Sequence, residues 1–333
     1  MKKTLIALAV VAVSGAAFAQ SSVTLSGTLD TGFQKRWSGD QMRMTGDRNG
    51  TSNWTLSSTE DLGGGLKAVF QVSTAFNVDT GTTTTTDALG NNGMFVGLTG
   101  GFGTLRAGRP VNTLFANALL ANGTKGVSTH DANTVLSGNA TANAKVGNAS
   151  SSVYVPNALQ YHSPRFGGVQ VQLEYASSEL ANASAGTGIA VRYDNGPISA
   201  SVVSYKGAGT ATALKPKAVT QFAGAYDFGM AKAFFTYRDQ GGLASNADTS
   251  YALGVTAPVG PGSVYASYNV NEQAGDDGRT IIGGYKYSFS KRTTAYVNVA
   301  NRNAAWVPDA VSAAGGNGAK SSTGYGIGIT HTF

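Results

Sequence analysis

The chain has 333 residues, a formal net charge of +6 and 45 glycines, with 13% charged residues, 41% hydrophobic ones and no cysteine. The lack of cysteine excludes a disulfide framework. Past the first twenty residues there is neither a clear amphipathic helix nor an apolar run approaching the roughly 20 residues of a spanning helix, so the apolar residues must serve some more dispersed surface.

The chain opens "MKKTLIALAVVAVSGAAFAQ". Lys2 and Lys3 precede an apolar run from Thr4 to Val13, and small residues end in Ala17, Phe18 and Ala19. This is the layout of a cleaved secretory signal over 1–19, which predicts a mature domain over 20–333 and places it outside the cytoplasm. The apolar run is too short for a membrane anchor. Loss of Lys2 and Lys3 lowers the formal charge from +6 to +4.

From there, alternating segments bounded by turn residues predict strands near 22–33, 51–60, 65–77, 92–99, 103–109, 157–163, 168–177 and 187–194. The series continues near 197–206, 217–227, 230–238, 248–257, 262–271, 279–289, 292–302 and 322–333, which makes sixteen. Short links such as "DLGGGL", "TGGFGT", "DNGP" and "APVGPG" carry the Gly, Pro, Asn and Asp of tight turns. They alternate with longer polar stretches at 34–50, 78–91, 110–156, 178–186, 207–216, 239–247, 272–278 and 303–321. Short on one side and long on the other describes an up-and-down antiparallel sheet whose two ends face different surroundings. An even strand number returns both termini to the short-turn end.

Side chains on a strand alternate between faces. In "GLKAVFQVS" Leu66, Ala68, Phe70 and Val72 share one face, and Lys67, Gln71 and Ser73 the other. Ile281, Tyr285 and Tyr287 likewise oppose Lys286 and Ser288, and Phe235 and Tyr237 oppose Thr236 and Arg238. Sixteen strands with one apolar face and no helices to cover it would expose far more apolar area than the few hundred Å² of a soluble monomer. If that face meets lipid, the sheet must close, because open edges cannot be satisfied in hydrocarbon. The expected fold is all-β, a 16-stranded antiparallel transmembrane β-barrel of the bacterial outer membrane. The last strand fits this: Tyr325, Ile327, Ile329, His331 and Phe333 alternate with small residues to the terminus, as a strand closing the ring against "SVTLSGTLDTGF" must.

The stretches "SSVTLSGTLDTGF", "TEDLGGGLKAVFQV", "GGFGTLRAGR", "LQYHSPRFGGVQVQLEY", "YDNGPISASV" and "GITHTF" together resemble the general diffusion porins of beta-proteobacteria, over nearly the whole mature chain. The resemblance implies a homotrimer in outer-membrane lipid, with the third long loop folded into the lumen. It also implies that Phe333 is the C-terminal signal read by the outer-membrane barrel-assembly machinery. Segment 110–156 is the longest connection and the third of the long ones, which agrees with that loop assignment.

Selectivity in a wide pore follows its diameter and the charge at its narrowest part. Lys67, Arg106, Arg192, Arg238, Lys286 and Arg302 fall on the polar faces of their strands, and Arg109 feeds the third loop. That loop carries Lys125, His130, Asp131 and Lys145 as its ionisable residues. With one acid there instead of an acidic ring, the expectation is a passive channel for small hydrophilic solutes with a weak anion preference. One departure tempers it: the resemblance calls for a basic ladder like "SRLGLRGTEDLGGG", whereas this chain reads "TSNWTLSSTEDLGGG", with Asn53 and Ser57 at the basic positions.

Other chemistry finds little support. His130, His162 and His331 lie in different parts of the barrel, and neither G-x-S-x-G nor H-E-x-x-H occurs, so no catalytic residues, metal site or cofactor are assigned. Lys and Arg are dispersed and the chain is exported, which argues against nucleic acid. A substrate-specific channel and an adhesin-type barrel working through its loops share the expected fold and stay open as alternatives.

Overall fold

Alternation of β-branched and aromatic residues with small polar ones builds long strands here because each strand has one wet and one apolar face to satisfy. The computed structural model describes residues 22–35, 41–46, 49–83, 89–118, 153–209, 217–239, 249–272, 278–303 and 321–333. The strands are β1 (Ser22–Lys35), β2 (Arg43–Gly46), β3 (Asn53–Gly63), β4 (Leu66–Ala75), β5 (Met94–Gly100) and β6 (Gly103–Arg109). After a short helix α1 (Thr113–Ala118) come β7 (Ala158–His162), β8 (Val169–Ala176), β9 (Gly186–Asn195), β10 (Ile198–Lys206) and β11 (Val219–Asp227). The chain then forms β12 (Lys232–Asp239), β13 (Thr249–Val259), β14 (Gly262–Glu272), β15 (Gly278–Ser288), β16 (Thr293–Asn303) and β17 (Ser321–Thr332).

All of these strands join one antiparallel sheet that closes on itself. One edge of β1 pairs with β17, from Thr28 opposite Thr332 to Lys35 opposite Tyr325. Its other edge pairs with β3 over Ser22 to Thr28 and with β2 over Thr31 to Gln34. Strands β2 and β3 are therefore two pieces of a single stave, and the barrel has sixteen staves. The expected loop at 34–50 thus contains strand: β1 runs to Lys35, the second stave begins at Arg43, and residues 49–52 lie outside the ladder between its two pieces.

That interruption has a visible cause. Ser52, fully buried, donates from Oγ to the Asp30 carbonyl at 3.2 Å, and its Oγ accepts from the Asp30 amide at 3.0 Å. The side chain replaces the missing strand partner, so the backbone can bulge without leaving polar groups unpaired.

Closure reaches the last residue. Gly27 and Phe333 exchange two backbone hydrogen bonds of 3.1 Å. A Cβ on Gly27 would collide with the Phe333 ring, so the ring lies over the bare backbone of β1. The alternation of the final strand therefore completes the seam and covers a glycine on the outer face.

Short turns lie at one end. In the first, Gly63, Gly64 and Gly65 all have positive φ, and the Asp61 carboxylate accepts the Gly63 amide at 2.8 Å. The outer surface carries exposed apolar residues in register, among them Leu25, Val96, Ile189, Leu253, Ile281 and Ile327. Asp30, Gln160, Gln221, Thr236 and Asn269 are buried on the inner one. No helix among the described residues is long and apolar enough to cross a membrane. The strands cross instead, and β13 to β16, at 11 residues each, match the roughly 9–11 residues a tilted strand needs.

Candidate functional site

Antiparallel register sets inward side chains of neighbouring strands opposite one another, so the inner wall is built of rows running around the barrel. One row reads Arg106, Gln160, Glu174, Gly188 and Tyr205 across β6 to β10. The Arg106 guanidinium stacks over the Phe95 ring at 5.1 Å, and its Nη2 donates to Gln160 Oε1 at 2.8 Å. The same nitrogen shares a 3.1 Å hydrogen bond with His162 Nε2. Gln160 Nε2 in turn donates to Glu174 Oε2 at 2.8 Å and to the Val111 carbonyl at 2.7 Å.

Glu174 holds the start of the third long connection. Its Oε2 accepts from the Thr113 amide at 2.8 Å and the Thr113 hydroxyl at 2.9 Å, and the Tyr205 hydroxyl donates to the same carboxylate. Asn112 caps α1, its Oδ1 accepting the Phe115 amide at 2.6 Å. Further along α1, Asn117 Nδ2 donates to Gln172 Oε1 at 2.8 Å, and Gln221 Nε2 donates to the Leu114 carbonyl at 3.2 Å. Leu114 packs with Val155, Ala158, Ala176, Ala190, Val203, Tyr205 and Val219 in a buried apolar cluster. All its wall contacts are inward-facing residues, so α1 lies inside the barrel against β8 to β11. The path of the loop over 119–152, with the candidates Lys125, His130, Asp131 and Lys145, lies outside the described residues.

The register places Lys67, Arg106, Arg192, Arg238 and Lys286 on the inner face, as the alternation implied, and Arg302 stands in register with inward Thr280. They are not equivalent. Arg238 is 4% exposed and donates Nε and Nη2 to Gln221 Oε1 at 3.1 and 2.7 Å, which makes it a strut behind α1. Arg192 pairs with Asp194 through Nε at 2.5 Å, and Arg165 reaches the same carboxylate at 2.8 Å. Lys67 is exposed near the short-turn mouth opposite Asp61, and Lys286 lies 5.4 Å from the Tyr265 ring.

Arg109 falls opposite Met94, one residue out of phase with Arg106, after Gly108 at a φ of 138°. Its charge acts on Tyr154, whose hydroxyl donates to Asn92 Oδ1 at 2.6 Å and is pushed up to about 12 by burial, against the opposing pull of Arg109. His331 sits on the outer face beside Thr293 Oγ1 at 2.9 Å.

Bases also stand in register with neutral residues. Arg43 is opposite Gln34, Arg238 opposite Gln221 and Ser250, Lys286 opposite Ser263 and Tyr296, and Arg302 opposite Thr280 and Ser322. Of the inward acids, Asp61, Glu174, Asp194 and Asp227 each have a base close by, at Lys67, Arg106, Arg192 and Lys232, whereas Asp30 is held by Tyr296, Thr330 and the Asn49 amide. Alternation alone identified the bases. It did not single out Glu174, Gln160 or Gln221, although "QVQLEY" sets Gln170, Gln172 and Glu174 on one face, a legible hint of a polar inner row.

A closed barrel with an apolar outside, a polar inside and a loop helix packed against its inner wall defines a membrane channel of the outer-membrane type. The Gram-negative porin family model matches residues 4–304. Outer membrane porin protein 32 of Delftia acidovorans is 35% identical over the full length of both chains. Major outer membrane protein P.IB of Neisseria lactamica is 29% identical, also over the full length of both. Among solved structures, an anion-selective porin from Comamonas acidovorans superposes with a TM-score of 0.75 at 26% identity, covering 94% of this chain and all of the other. The chain belongs to the Gram-negative porin family. It is an outer-membrane porin, a multi-pass β-barrel.

Proposed function

We propose that this porin is a passive diffusion channel for small hydrophilic solutes with a weak preference for anions. The observation that supports the preference is the balance of the inner wall: among the described strands Arg43, Lys67, Arg106, Arg192, Lys232, Arg238 and Lys286 face inward, against Asp30, Asp61, Glu174, Asp194 and Asp227. The resulting field inside the lumen is net positive, which raises the local concentration of anions. The similarity to an anion-selective porin supports the same sign. Asn53 and Ser57, neutral on the inner face of β3, keep the preference modest.

The proposal includes export with cleavage ahead of Gln20, assembly as a homotrimer, handling of Phe333 by the barrel-assembly machinery, and transport without catalysis. The reversal potential of purified channels in a planar bilayer under a KCl gradient tests the central point. A modest anion-selective potential supports it, and a cation-selective one overturns the charge assignment. N-terminal sequencing of the membrane-extracted protein checks the cleavage site, and cross-linking in detergent checks the trimer.

A further inference from the structure

Two buried carboxylates of the inner wall are held by the same device. Tyr205 of β10 passes over Gly188 of β9, its Cδ2 3.2 Å from where a Cβ on that glycine would lie, and donates to Glu174 of β8. Tyr296 of β16 passes over Gly328 of β17 and donates to Asp30 Oδ1 of β1 at 3.0 Å. Each carboxylate also accepts a threonine hydroxyl, from Thr113 or Thr330, and a backbone amide, from Thr113 or Asn49. A tyrosine reaches across a strand that offers no side chain, and an acid two strands away receives it.

The device occurs a third time without its acid. Tyr265 of β14 crosses Gly284 of β15, whose Cβ position its hydroxyl would overlap, and the next residue of that row is Asn298 of β16. Tyr265 is 4% exposed and Asn298 2% exposed. Neither the Tyr265 hydroxyl nor the Asn298 Oδ1 and Nδ2 has a hydrogen-bond partner among the described residues. Leaving such groups buried and unmade is costly, so a third party is called for. The surroundings favour an anion: the Lys286 ammonium lies 5.4 Å from the Tyr265 ring, and the row continues through Gly326 and Gln34 to Arg43.

We infer that Tyr265, Asn298 and Lys286 form a wall site for a small carboxylate, which takes the place that Glu174 and Asp30 fill in the other two. The Tyr265 hydroxyl and Asn298 Nδ2 donate to its oxygens, and Lys286 supplies the balancing charge. The site rests on the barrel being an open channel, and gives the proposed anion preference a point of residence for carboxylates.

The test is single-channel current of the purified protein in planar bilayers as chloride is replaced by acetate at constant potassium. In the unmodified channel the acetate dependence saturates. Tyr265→Phe raises the half-saturating concentration about tenfold, the loss of one charge-assisted hydrogen bond. Asn298→Asp, which returns a carboxylate to the wall, abolishes saturation while KCl conduction persists. Retained resistance to detergent in unheated gel samples shows that both variants are folded. Linear acetate dependence in the unmodified channel overturns the site and leaves the channel standing. Saturation unchanged in both variants also overturns it, the two groups then holding a trapped water only. A protein that conducts no KCl overturns site and channel together, whereas acetate saturation with a cation-selective reversal potential supports the site and fails the anion preference.

Discussion

On the β6 to β12 side of the barrel the inward polar residues hold α1 through Glu174, Gln172 and Gln221, and the chain leading into it through Gln160. On the β16 to β1 side they are bonded across the seam, where Asp30 gathers Tyr296, Thr330 and Asn49 from both ends of the chain. The residue types are alike and the tasks differ. One wall anchors the helix that opens the third long connection, and the other closes the ring and pins the break at 49–52. A polar residue on the inner face of a barrel is therefore not automatically part of the conducting surface. What it touches decides.

Glu174→Leu should separate the two walls most sharply. It strips the acceptor from Gln160, Tyr205 and two donors of Thr113 while leaving the seam intact. We expect a loss of about 3 kcal/mol or more, at roughly 1–3 kcal/mol for each buried donor left unpaired, read from urea denaturation. Single-channel conductance and open-channel noise should rise as α1 leaves the wall. Unchanged conductance would mean that the helix is held by the Leu114 cluster alone.

A smaller effect is expected at the seam. Tyr296→Phe removes one donor to Asp30 and should cost about 1–2 kcal/mol in the same measurement, with conductance and selectivity close to the unmodified channel. A large change in conductance there would break the division of labour between the walls.

Arg238→Met sharpens the comparison in charge. Its guanidinium props Gln221 against α1, so the variant should lose about 1 kcal/mol and also shift the reversal potential toward zero. Lys67→Gln should do least. That lysine is exposed at the short-turn mouth opposite Asp61, in water that screens charges beyond about 10 Å at 0.1 M salt. Its reversal potential should match the unmodified channel within error, and a shift as large as that of Arg238→Met would show that the mouth controls selectivity.

The sequence was legible wherever the information is local. Period-two alternation placed every stave but the second within a few residues and put Lys67, Arg106, Arg192, Arg238 and Lys286 on the wet face, because the pleat leaves a strand residue only two directions. Gly, Pro, Asn and Asp marked the short-turn end, and the pattern running out to Phe333 announced a terminal strand with a partner. The second stave was read short because Ser52, a neutral residue in a polar stretch, gives no sign that it substitutes for a ladder bond to Asp30. Arg109, three residues past Arg106, has the opposite parity along β6 and falls on the face of Met94, which a reading from its place before the loop passed over.

Only the closed barrel decided which residues became neighbours around the wall. Arg106 meets Gln160 across 54 residues of chain, Gln221 meets the Leu114 carbonyl across 107, and Thr330 meets Asp30 across 300. Those encounters follow from strand register and ring closure, which are properties of pairs of strands and leave no trace in either strand alone. Local alternation was enough to specify a barrel whose polar inner face carries several bases. The tertiary structure decided which of those charges are spent holding the wall and the loop together, because a charge's effect depends on the partner brought to it.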